Sequence, residues 1–248
     1  LLDAWGLATA ILVAGAVNGF DWFGRVAGAV ITDVGTVVTR PGATFGHGVC
    51  AETVNEGGGR EVTLFAELSS QFAYLQAMQR HNAELVSRLE TMVADVTATV
   101  TADRGLIGAG TRVAHVSEVI DVNIGPAARI VGAARLCNGT ILSESGARTE
   151  VGQGVIAEDF IFAEGASVED GVVIHTGFVG QGAQLGKQFS AENSLFFANS
   201  EAFHGEACAV FAGPYTVTHH KSTLLIAGIY SFYNAGSGTN QSNHMYKL

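Results

Sequence analysis

The sequence is short of charge, proline, cysteine and tryptophan. Charged residues make up 15% of 248, with 13 Lys and Arg against 23 Asp and Glu, for a net charge of −10. That balance excludes nucleic acid and anionic membranes as natural partners. Only 3 prolines are present, which excludes a collagen-like or proline-rich disordered chain. Cys50, Cys137 and Cys208 are odd in number, far apart and free of any CxxC spacing. They read as reduced thiols of a cytoplasmic protein rather than a disulfide frame or a zinc knuckle. Long apolar runs are lacking as well. The stretch from Leu7 to Val17 is about eleven residues, too short to span a bilayer, and no basic segment precedes it as in a signal peptide. A P-loop GxxxxGK[ST] is absent, and Gly236-Ser237-Gly238 lacks the strand–turn–helix context of a nucleophile elbow.

Glycine is abundant, at 32 residues, and 48% of the chain is hydrophobic. The apolar residues recur at steps of six. Ile107, Val113 and Val119 form one series, and Ile124, Ile130 and Leu136 the next. Ile156, Phe162, Val168 and Ile174 follow, then Val179 and Leu185. Ile31, Val37, Ala43 and Val49 keep the same step near the start. Slips of five separate the series, as at Val119 to Ile124 and Ile174 to Val179. Six matches neither the helical period nor simple alternation. It matches short strands joined by tight turns, three of which close a triangular coil of about eighteen residues with the aliphatics stacked inside. Gly after the aliphatic, as at Gly108, Gly125 and Gly180, serves those turns. The expected fold is mainly β: a parallel β-helix over residues 26–248, with residues 1–25 unassigned. Cys137 and Cys208 fall within coils and read as small core residues.

Residues 67–99 break the pattern. Leu68, Phe72, Leu75 and Met78 share one helical face, Asn82 is an N-cap, and Leu85, Val86, Leu89, Met92, Val93 and Val96 form a second stripe. This predicts a helical-hairpin insertion that packs on the β-helix or on a neighbouring subunit.

Residues 105–200 resemble the hexapeptide-repeat superfamily, which includes sugar and serine acyltransferases and γ-class carbonic anhydrases. That resemblance implies a left-handed winding. Val54-Asn55-Glu56-Gly57-Gly58-Gly59-Arg60-Glu61-Val62, Leu68-Ser69-Ser70-Gln71, the run from Gly186 to Asn199 and the run from Phe211 to Leu225 resemble, more closely, an uncharacterised bacterial hexapeptide-repeat family. This similarity covers about residues 30–248. Its members are longer, which implies that the chain is part of a longer protein. A more distant similarity is to the acetyltransferase half of bifunctional N-acetylglucosamine-1-phosphate uridyltransferase. His220, Asn234-Ala235-Gly236-Ser237-Gly238-Thr239 and Ser242-Asn243-His244 follow its order. Here His244 stands where that family has Tyr, and the Tyr-x-Gly-Asp after its His is missing.

These readings give the candidate site. His219 and His220 lie on opposite faces of an extended segment, so one of them faces a given cleft. The expectation is a general base, His220 or His219, in a cleft between subunits of a homo-oligomer, most simply a trimer as in the superfamily. Lys221 and Arg60 would hold substrate anions. Asn234, Gly236, Ser237, Thr239, Asn243 and Lys247 would line an acyl-CoA or nucleotide-sugar site. The implied reaction is acyl or nucleotidyl-sugar transfer, with acetyl-CoA or another acyl-CoA as donor. A non-catalytic β-helix scaffold is the alternative. A zinc hydratase of the γ-carbonic-anhydrase kind, with His204, His220 and His244 as ligands, is a third reading.

Overall fold

Once in every coil the inward step is five residues instead of six, and backbone geometry explains it. The computed structural model describes residues 28–242 together with the strands Leu12–Ala14, Phe20–Asp21 and Gly24–Val26. The strand Glu118–Ile124 runs along one wall as far as Ile120, turns at Asp121, and continues along the next wall from Val122. Asp121, Asn138, Asp159, Thr176 and Asn193 occupy this corner in successive coils, with φ between 48° and 55°. Asp and Asn tolerate that left-handed geometry better than other side chains, so a single residue turns the corner and one residue is saved. Val119 therefore pairs with Leu136, and Ile174 with Ala191, seventeen residues on rather than eighteen. The coil from Leu136 to Ala157 is longer, and its excess forms a turn closed by Glu144 and Ala147.

All pairings between coils are parallel. The first wall is a ten-stranded sheet. The two halves of the bent strands make the second and third walls. Ile130, Val151, Val168 and Leu185 stack inside the first wall, Leu136 and Ile174 inside the second, and Ile124, Ile141, Phe162 and Val179 inside the third, all nearly inaccessible to water. Each large aliphatic side chain buried in this way contributes about 1.5–3 kcal/mol. The mainly-β parallel β-helix read from the six-residue steps is thus the observed fold. Phase corrections are local. Ala157, not Ile156, points inward, because the five-residue corner falls between Ala157 and Phe162. Cys137 is buried, as expected of a small core residue, but it and Cys208 follow inward residues and so lie on the outer side of the second wall. Leu12–Ala14 pairs with Val30–Thr32, so part of the unassigned N-terminal stretch joins the first wall.

The step from Ile31 ends at Val37. At the next corner the chain leaves the prism after Thr39, and it rejoins the third wall at Gly105–Ile107. The Gly105 N–H donates to Thr39 Oγ1 at 3.0 Å, which pins the two ends of the insertion together. Ala43 and Val49 consequently lie in the insertion, not in the prism. This insertion is larger than a helical hairpin. It includes an antiparallel hairpin of Cys50–Glu52 with Glu61–Thr63, helix α1 (Ser70–Met78) and helix α2 (Ala83–Val100). Ser69 and Asn82 cap the helices by accepting from the N–H groups of Phe72 and Leu85. In α1 the buried face is Ala73, Gln76 and Ala77, while Leu75 is exposed. Gln76 is recruited inward because its Oε1 accepts from the Thr63 N–H at 3.2 Å.

The insertion covers the outside of the third wall. Ile161, Phe178, Leu195 and Phe211 point outward there and pack against Leu64, Phe65, Leu68 and Ala73. Along the corner the backbone N–H groups of Arg40, Gly46 and Glu52 donate to the side chains of Asp121, Asn138 and Asn193, at 2.6, 2.9 and 3.2 Å. The polar ladder that turns the corner is therefore also what registers the insertion. Among the described residues no helix is long and apolar enough to cross a membrane.

Candidate functional site

The first wall stays uncovered by the insertion, and its C-terminal rungs collect several of the residues singled out from the sequence. His219 follows the strand Val217–Thr218, and its Nε2 lies 2.5 Å from Glu201 Oε2. Its ring sits 5.0 Å from that of Phe203, and Lys187 Nζ lies 4.9 Å from the Phe203 centroid. Asn234 is exposed beside Val217 on the next rung. Gly236 follows Ala235, which pairs with Thr218, and a methyl group on Gly236 would meet nothing within 4 Å. The fold thus gathers His219, Asn234 and Gly236, and adds Glu201, Phe203 and Lys187. Those three were missed because their link to His219 is the rung spacing. Only a sequence aligned at sixteen- to seventeen-residue steps stacks Gly186, Phe203 and His219 in one column.

The other candidates lie elsewhere. His220 and Lys221 are exposed on the turn beyond the wall, where the His220 carbonyl accepts from Thr223 Oγ1 at 2.9 Å. Thr239 Oγ1 donates to the Gly236 carbonyl at 2.7 Å, closing a turn that leaves Ser237 exposed. Arg60 sits on the insertion and donates to the Ala77 carbonyl at 3.1 Å. It supplies positive charge at the C-terminal end of α1, whose own last turn has no basic residue. Three consecutive glycines before it belong to a turn tied by Asn55, whose Nδ2 donates to the Gly58 carbonyl at 2.8 Å. His204 occupies a corner with φ of 53°. Asn243, His244 and Lys247 lie outside the described residues. Among the described residues no group of three His, Cys, Asp or Glu is placed to hold a metal ion.

Chemically, the Glu201 carboxylate fixes the ring of His219, and a histidine so held is able to accept a proton. The pair is open to water, with side chains 44% and 35% exposed, so nothing among the described residues encloses a reacting group there. Further along the wall a depression of about 180 Å³ is lined by Arg129, Glu150, Gly152, Gln153, Glu169 and Asp170. Burial, with Glu150 and Asp170 nearby, raises the Glu169 carboxyl above its ordinary value, and Arg129 partly offsets this. The two cysteines of the second wall are poor nucleophiles. Burial pushes the Cys137 thiol up, and burial together with a hydrogen bond to Glu56 pushes Cys208 up to about 12.

A family model described as a domain of unknown function, DUF4954, matches residues 7–248. No curated protein and no solved structure matches the chain. With nearly the whole sequence matched, and the β-helix and its insertion both inside the matched range, the chain belongs to the DUF4954 family.

Proposed function

We propose that the chain is a non-catalytic β-helix scaffold that works through contacts made by its first wall. The observation that supports this is the inequality of the walls: the third is sealed by the insertion, while the first presents a regularly spaced, largely polar face, with Arg112, Arg129, Glu150, Ser167, Gln184 and Glu201 in one outward column. The His219–Glu201 pair stands open to water, and Arg60 is already engaged within the insertion. A scaffold needs a rigid, regularly spaced surface, which stacked coils supply.

A second reading is favoured by one specific contact, the 2.5 Å pairing of His219 with Glu201. In that reading His219 is the general base of an acyl or nucleotidyl-sugar transferase, and a neighbouring subunit completes the cleft. Thermal unfolding with acetyl-CoA and with a UDP-sugar separates the two. The scaffold reading expects neither ligand to move the melting temperature. A rise of several degrees that disappears in His219→Ala would overturn it in favour of the transferase.

A further inference from the structure

The outward side chains of the first wall form two columns, one before and one after each inward residue. Resting on the scaffold reading, we propose that this wall binds a second copy of the chain, face to face and with its axis reversed. A two-fold axis along the strand direction, between the rungs of Val151 and Val168, fits both columns to themselves. In the first column it sets Arg112 opposite the partner's Glu201, Arg129 opposite the partner's Gln184, and Val30 opposite the partner's Val217. In the second column Gly152 faces the partner's Glu169. The long Glu169 side chain meets a glycine, and the end of the wall that carries Arg112 and Arg129 meets the end that carries Glu169 and Glu201.

A parallel copy lacks this fit. It keeps every rung beside its own equivalent, so Arg112 and Arg129 approach the same basic stretch of the neighbour, and Glu150, Glu169 and Glu201 the same acidic one. Charge complementarity of this kind selects orientation more than it adds affinity. From Val30 to Val217 the patch is about 34 Å long at one rung per 4.8 Å, and about 10 Å wide. That is about 340 Å² per copy, well below a standard interface, so the association is a weak, transient one. At the axis the two Glu169 carboxylates approach each other, each beside an Arg129.

Sedimentation velocity over the micromolar range tests this. The parent chain should show a reversible dimer. Arg112→Glu and Glu201→Arg should each weaken it by at least about tenfold, and the two together should restore it. In one chain these residues are five rungs apart, so rescue must occur between copies. Glu169→Gln should tighten the dimer severalfold. A chain carrying Val30→Cys and Val217→Cys in a Cys50→Ser background should form an intermolecular disulfide, because the two positions are about 34 Å apart within one copy. A trimer, a strict monomer, failure of the double variant to recover, or absence of the cross-link overturns the proposal. A strict monomer whose melting temperature ignores acetyl-CoA and UDP-sugars removes the dimer but leaves the scaffold reading standing.

Discussion

Asn138 joins the two halves of the molecule, and its substitution has a calculable outcome. Its Oδ1 accepts from the Gly46 N–H at 2.9 Å, its Nδ2 donates to Asp159 Oδ1 at 2.6 Å, and its φ is 49°. Asn138→Ala removes both hydrogen bonds, at about 1 kcal/mol each. It also puts a side chain without local polar compensation in the left-handed region, at about 1 kcal/mol more. The total is about 3 kcal/mol. Asn138→Gly loses the same bonds but occupies that region freely, so it should cost about 2 kcal/mol. Asn138→Asp replaces the donor with a second carboxylate facing Asp159, so its cost should shrink as the pH falls far enough to protonate one of them. Urea titration measures the three differences, and hydrogen exchange should show residues 40–104 opening before the prism does in the alanine variant. If Ala and Gly destabilise equally, or both by less than about 0.5 kcal/mol, the corner ladder neither sets the backbone nor holds the insertion.

Three further outcomes follow from buried groups. His47 is 4% exposed, with Nδ1 donating to the Thr44 carbonyl at 3.1 Å and Nε2 lacking a partner among the described residues. Burial lowers its pKa from 6.5; below that value the unfolded chain takes a proton the folded chain refuses, so stability falls on acidification, by up to about 1.4 kcal/mol per pH unit. Urea titrations from neutral pH to about 5 should show that slope reduced in His47→Leu. Gly46 has φ of +83°, and a Cβ there would lie 2.6 Å from the Phe160 carbonyl oxygen; Gly46→Ala should cost at least about 3 kcal/mol, read by the shift in thermal midpoint. A limiting dose of iodoacetamide should alkylate exposed Cys50 ahead of Cys137 and Cys208, as mass spectrometry of the digest would show; equal labelling would contradict the raised thiols of the second wall.

The prism was legible in the sequence because its interior repeats a physical requirement. Every coil must place an aliphatic side chain on each wall, and Ile124, Ile130 and Leu136 meet that requirement at regular steps. The corners were partly legible. The slips of five were visible, but their meaning, one Asp- or Asn-rich turn per coil, was not. That led to coils one residue too long and to Ile156 in the place of Ala157. The extent of the insertion was hidden for a related reason. Ala43 and Val49 continue the six-residue step by coincidence, so the departure at Thr39 carries no break in pattern. The His219–Glu201 pair illustrates the remaining difficulty. Its partners are neighbours only after the chain has wound once around, and the histidine doublet marks one member without indicating the other.

The hydrogen bond between Thr39 and Gly105 brings the entrance and exit of more than sixty residues to one point at a prism edge. An edge is where such a molecule tolerates extra chain, since added length there leaves the stacking above and below in step. The insertion therefore behaves as a cassette: joining Thr39 to Gly105 through a corner like that at Asn138 would leave a bare solenoid, with the oily flank of Phe178 and Leu195 exposed to solvent. A chain trimmed in that way should need new polar residues on that flank to stay in solution, which makes the cassette a cover as much as an appendage.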